Sequence, residues 1–122
     1  MDIYLDLETN ELVFSRNTKL DEKYLHLIPN QNGSSEKHLP KVTLSNNRVQ
    51  VSIGEFIHPM DKEHLIKNII IITSFGFYVR ELNEFDEPIF EIYLDANEVL
   101  ISVYEYCNLH GLWKLEFQED NL

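Results

Sequence analysis

Asn68-Ile69-Ile70-Ile71-Ile72-Thr73 is the stretch on which the fold turns. Branching at Cβ stiffens a side chain, lowers its helix propensity and suits it to a pleated sheet. Apolar residues follow one another here without the polar alternation of a half-exposed strand. The run therefore predicts a strand buried on both faces. Four isoleucines are also far too few to cross a bilayer, which needs about 20 apolar residues.

Strand signals continue on either side. Ser74-Phe75-Gly76 turns the chain into a strand over residues 77–82. Upstream, residues 48–53 alternate, with Val49, Val51 and Ile53 on one face. Downstream, residues 89–94 alternate, residues 99–106 are rich in β-branched and aromatic side chains, and residues 112–117 close the series. No window of helical length carries an apolar stripe, although residues 61–65 could form one turn. Short strands at regular spacing predict an all-β fold, an antiparallel sandwich.

The first 32 residues look irregular. Ile3, Leu5 and Leu7 alternate, as do Leu12 and Phe14, with Asn10-Glu11 between them, so a short hairpin is expected. Pro29-Asn30-Gln31-Asn32-Gly33-Ser34-Ser35 reads as a linker. The expected division is a small extension over residues 1–34 and the main domain over 35–122, with an acidic, frayed end after Gln118.

Charge narrows the function classes. The chain has 122 residues, with 10 lysines and arginines against 21 acids, a net charge of −11. Nucleic acid and anionic membrane surfaces both call for a basic face, so neither is an expected partner. Met1 is followed at once by Asp2, with Asp6 and Glu8 close behind, unlike the basic and then apolar start of a secretory signal. Cys107 is the one cysteine, which excludes an intrachain disulfide and fits a reducing compartment. A cytoplasmic location is the expectation.

There are five histidines, and four of them sit beside turn signals in the main domain. His38 precedes Leu39-Pro40, His58 precedes Pro59, His64 follows six residues after His58, and His110 stands three after Cys107 and just before Gly111. Loops at strand ends are where a sandwich builds its sites. Taken singly, Cys-x-x-His is more often a packed thiol beside an ordinary rim histidine than a metal site. The same bland reading holds for each of the other histidines and for Lys37.

As a set, Glu36-Lys37-His38-Leu39-Pro40, His58-Pro59-Met60, Glu63-His64 and Cys107-Asn108-Leu109-His110-Gly111-Leu112-Trp113 resemble the signature of the superoxide reductases, the family of desulfoferrodoxin and neelaredoxin. The likeness runs over residues 36–116. It implies an immunoglobulin-like sandwich with one mononuclear non-haem iron (Fe2+/Fe3+) near the surface. It implies equatorial ligands His38, His58, His64 and His110, and an axial sulfur from Cys107. By the same likeness Glu36 takes the sixth position in the oxidised state and Lys37 is the cation beside the open position. The activity implied is one-electron reduction of superoxide to hydrogen peroxide, with a rubredoxin-like protein as electron donor and a homodimer as the assembly. A non-catalytic iron carrier, or a sensor of superoxide or nitric oxide, would use the same ligands. Glu36 and Lys37 favour the enzyme.

Ligand chemistry agrees. Four imidazoles and a thiolate exceed the tetrahedral shell of structural zinc. No carboxylate cage is present for calcium or magnesium. A mixed nitrogen and sulfur shell suits redox-active iron, and ligand type alone leaves copper open.

Two departures from the family pattern stand out. Relatives often carry four cysteines and a second iron in an N-terminal rubredoxin-like piece. Here Ile3-Tyr4 and Leu27-Ile28-Pro29-Asn30 resemble its framework but the cysteines are missing, so the second centre is expected to be absent. Leu65 and Asn68 also stand where aromatic residues are frequent. His26 matches none of the motif, and Gly111 is expected to supply a positive φ.

Overall fold

A computed structural model describes residues 1–16, 18–31, 38–54 and 59–118. Its regular elements are β1 (Asp2–Asp6), β2 (Leu12–Ser15), β3 (Tyr24–Leu27), β4 (Pro40–Ser45), β5 (Arg48–Ile53), β6 (Ile66–Thr73), β7 (Gly76–Glu81), β8 (Ile89–Tyr93), β9 (Leu100–Cys107) and β10 (Gly111–Glu116). They form three antiparallel sheets, ordered β2-β1-β3, β10-β9-β6-β7 and β4-β5-β8. The chain is all-β, and the second and third sheets make the immunoglobulin-like sandwich. No helix among the described residues is long and apolar enough to cross a membrane.

The isoleucine run explains the layering. Side chains alternate across a strand. Ile69 and Ile71 of β6 therefore point into one core, with Val49, Val51 and Ile53 of β5 and Val103 of β9. Ile70 and Ile72 point the other way, into a second core with Ile3, Tyr104, Tyr106 and Leu112. Leu5, Leu12, Phe14 and Leu27 of the N-terminal sheet pack against that second core. The four-stranded sheet is thus the middle of three layers. Each fully buried isoleucine contributes roughly 1.5–3 kcal/mol relative to an exposed one.

The N-terminal sheet is tied down at its exit. The Asn30 amide donates to the Leu112 carbonyl at 2.9 Å, and the Lys114 amide donates to Asn30 Oδ1 at 2.8 Å. Asn30 has φ 64°, a left-handed conformation that asparagine tolerates better than most residues. On the other flank, the Phe14 and Phe77 rings lie 5.1 Å apart.

Several local expectations change. β3 and β4 were not anticipated as strands. Pro40 opens β4, an edge strand, where its missing N–H breaks no ladder. Residues 61–65 form no helical turn. The amides of Asp61 and His64 instead donate to each other's carbonyls, at 3.1 and 3.0 Å, closing a tight β-turn. The expected frayed end falls partly outside the described residues, which stop at 118.

Candidate metal centre

One end of the middle sheet gathers the site. Cys107 is the last residue of β9, and Gly111 opposite it is the first of β10. On its other side Cys107 pairs with Ile66, the first residue of β6. The β6–β9 register shifts between Ile66 and Asn68, so the irregularity sits beside the cysteine. Such shifts re-aim side chains at strand ends.

Backbone geometry holds the loop from Cys107 to His110. Gly111 has φ +84°, which bears out the expectation of a glycine there. The Asn108 amide donates to the Leu65 carbonyl at 3.2 Å, and the Leu65 amide donates to Asn108 Oδ1 at 3.0 Å. This reciprocal pair ties the Cys107–His110 loop to the residue after His64. Met60 Sδ accepts from the Ile66 amide at 3.4 Å, fixing the same corner.

Three histidines converge there. One ring nitrogen each from His38, His64 and His110 lies within 4.8 Å of the others. The His38–His110, His64–His110 and His38–His64 ring centroids are 4.6, 5.1 and 6.3 Å apart. Two nitrogens on one metal stand at most about 4.2 Å apart, twice a bond of about 2.1 Å. The cluster therefore needs only small closure to hold an ion. His38 is buried and its ring stacks on Trp113 at 5.3 Å, while His64 and His110 are half-buried. His110 Nδ1 is buried with no hydrogen-bond partner among the described residues. A buried orphan nitrogen within a histidine cluster is what a metal ligand looks like without its metal.

Cys107 is fully buried. Burial pushes its thiol pKa up. The backbone amides of His110 and Leu109, aimed at it, pull the value part of the way back, and the nearby Glu105 charge adds to the rise. A bound cation is the ordinary means of holding such a group as thiolate.

Glu36, Lys37 and His58 lie outside the described residues. His26 sits apart from the cluster in the N-terminal sheet, stacked on Tyr4 at 4.8 Å with Nε2 3.5 Å from Asp2 Oδ1. Glu105 was missed by sequence reasoning. It is fully buried, and neither carboxylate oxygen has a hydrogen-bond partner among the described residues. Burial pushes its pKa well up. Its register partner Trp113 is likewise buried with Nε1 unpartnered among the described residues. The available signal was a lone acid in phase with Cys107 in an otherwise apolar strand end.

Comparison with known proteins gives a consistent picture. A sequence model described as Desulfoferrodoxin matches residues 30–116. Desulfoferrodoxin of Nitratidesulfovibrio vulgaris is 37% identical over 84 residues, covering 69% of this chain and 65% of that protein. Desulfoferrodoxin of Clostridium acetobutylicum is 36% identical over 83 residues, covering 68% and 64%. The match thus spans slightly under two thirds of those relatives' length. Among solved structures, the superoxide reductase of Treponema pallidum superposes with TM-score 0.81 at 26% identity, covering 94% of this chain and 96% of that one. The one-iron superoxide reductase of Giardia intestinalis gives TM-score 0.58 at 28% identity, covering 69% and 99%.

Proposed function

The chain belongs to the desulfoferrodoxin family, and from that premise we propose that it is a superoxide reductase, converting superoxide to hydrogen peroxide at one mononuclear non-haem iron. The observation that carries the reading is the convergence of His38, His64 and His110 at the strand end that bears Cys107. These residues fit the group. Imidazole nitrogens and a sulfur make a shell suited to iron, and an orphaned buried nitrogen awaits a partner. His58 completes the nitrogens and Cys107 gives the sulfur. Iron held there would supply one electron to each superoxide, and two protons from water would complete hydrogen peroxide.

The chain's own residues do the rest. The Leu109 and His110 amides hold the Cys107 sulfur by directed hydrogen bonds. Asn108 locks the loop to the strand that follows His64. Lys37 draws the anion in against a net charge of −11, because distant acids are screened beyond about 8 Å at physiological salt. Glu36 would take the position that product leaves. The reading extends to a metal-free small domain over residues 1–34 beside an iron-binding domain over 35–122. It also extends to a rubredoxin-like electron donor, a homodimer and a cytoplasmic location.

Stopped-flow mixing of the ferrous protein with a superoxide pulse tests it. The expected result is oxidation near the diffusion limit, with hydrogen peroxide and no dioxygen formed, and loss of that reaction in Cys107→Ser. Slow oxidation of the iron-loaded protein would make the chain a carrier or sensor and remove the roles given to Glu36 and Lys37.

A further inference from the structure

A metal accounts for the orphaned His110 Nδ1, but two buried groups at the same end of the sandwich are left over. Neither Glu105 carboxylate oxygen has a hydrogen-bond partner among the described residues, and the same holds for Trp113 Nε1. Glu105 is fully buried and Trp113 is 4% exposed. Neither belongs to the set of four histidines and one cysteine.

The acceptor and the donor are neighbours. Glu105 of β9 and Trp113 of β10 are Cα partners in an antiparallel pair, so their side chains leave the sheet on the same face. That face is the inner one. Val103 and Cys107, two residues to either side of Glu105, pack in the core between the two sheets of the sandwich. Leu112, next to Trp113, packs on the opposite side. Directly opposed residues have Cβ atoms about 4.5–5.5 Å apart, so side-chain rotation alone can bring a carboxylate oxygen to the indole nitrogen. A fold rarely leaves a buried donor and a buried acceptor unmade beside each other.

Beyond the indole lies a candidate ligand. The His38 ring stacks on Trp113 at 5.3 Å, with 20° between the planes. His38 stands just before β4, which belongs to the other sheet of the sandwich. Glu105, Trp113 and His38 thus link the end of β9 to the entrance of β4. The three histidine nitrogens lie within 4.8 Å of one another, whereas two nitrogens on one metal stand at most about 4.2 Å apart. Closure on an ion draws His38 toward His64 and His110. In a close-packed interior a ring does not move alone, so the indole stacked on it follows.

We propose that Glu105 is a positioning residue for His38, acting through Trp113: as the histidines close on their metal, the indole N–H comes to donate to the Glu105 carboxylate, and that bond fixes the plane of the His38 ring. The inference rests on the metal-centre part of the superoxide reductase reading. It gives a reason for a carboxyl where an apolar side chain would pack better. The two unmade groups destabilise the empty site and are satisfied in the filled one, so the ion is held more tightly than by its ligands alone. A carboxylate that orients a ligating histidine usually bonds the imidazole itself. Here an indole stands between them.

Trp113 is the only tryptophan of the chain, so indole spectra report on this position alone. Ultraviolet resonance Raman of the full-length protein, taken anaerobically with and without ferrous iron, reads hydrogen bonding at the indole N–H. The N–H should be unbonded in the metal-free protein and bonded after loading, both in wild type and in Glu105→Gln, whose amide oxygen still accepts. In Glu105→Leu it should stay unbonded, and ferrous iron should bind about ten- to a hundredfold more weakly, the usual loss when a group that orients a ligand is removed. Glu105→Gln should bind iron much as wild type does. Trp113→Phe keeps a ring against His38 but lacks the N–H, so Glu105→Leu/Trp113→Phe should bind no more weakly than Trp113→Phe alone. An indole band that iron leaves unchanged in wild type would overturn the proposal, and so would wild-type affinity in Glu105→Leu. Failure of the wild-type chain to bind ferrous iron would remove the metal centre and the proposal with it. Tight binding and the indole shift, followed by slow oxidation with superoxide, would remove the enzymatic reading alone and leave the role of Glu105 standing.

Discussion

Each end of the β6–β9 pair buries a glutamate, and the two are treated in opposite ways. At the end away from the histidines, Glu98 accepts hydrogen bonds from Thr73 Oγ1 at 2.6 Å, the Tyr78 hydroxyl at 2.7 Å and the Asp95 amide at 3.0 Å. Burial alone would raise its pKa, but these donors outweigh burial and lower it. At the histidine end, Glu105 is more deeply buried and has no such donor among the described residues, and burial drives its pKa well up. Trp113 Nε1 and His110 Nδ1 have no hydrogen-bond partner among the described residues at that same end. One end is closed by the chain itself. The other leaves polar groups that no described residue satisfies, and buried orphans of this kind are the usual mark of a functional site.

The contrast can be broken by experiment. The largest effect should come from metal. If the histidine end is built for an ion, ferrous iron at about a thousandfold over its dissociation constant should stabilise the fold by about 4 kcal/mol. His110→Ala should abolish most of that gain. An unchanged calorimetric Tm on loading iron would erase the distinction between the ends.

Next comes the closed end. Glu98→Ala should cost about 2–3 kcal/mol, since it strands donors that now bond a charged group. The pH dependence has a definite sign. A carboxyl with a lowered folded pKa stabilises fully above its unfolded value of about 4.3, and loses that contribution as pH falls through the folded value. Urea unfolding of the metal-free protein should show an acid-labile component that Glu98→Gln removes. Equal acid sensitivity in both proteins would contradict the assignment.

Glu105→Leu should act the other way. Replacing an unpaired buried carboxyl by an apolar side chain of similar size should stabilise the metal-free protein by about 1–2 kcal/mol. Destabilisation would mean that Glu105 is satisfied after all. The smallest effect belongs to Gly111→Ala. An added Cβ meets no atom within 4 Å, so the cost comes from φ +84° alone, about 1 kcal/mol by chemical denaturation.

Much of this was legible in the residues because the signals were local. The isoleucine run dictated a doubly buried strand, and β6 contributes to both cores. The ligand-type residues stood beside turn signals, and three of the histidines meet in space. What escaped was long-range. Tyr24–Leu27 is too short to register as a strand until β1 pairs with it. Residues 61–65 looked like a helical turn, because reciprocal bonding between Asp61 and His64 has no distinct composition. The missing partners of Glu105 depend on which groups three strands bring together.

The three-layer arrangement also has a consequence in time. β6 is bordered by β7 and β9 within its sheet and covered on both faces by packed side chains. Fraying of an edge strand, or lifting of the N-terminal sheet alone, leaves its ladder intact. Its amides can meet solvent deuterons only when the whole sandwich opens, so their exchange clock should run at the rate of global unfolding. The isoleucines that announce the fold are then the last residues to let go of it.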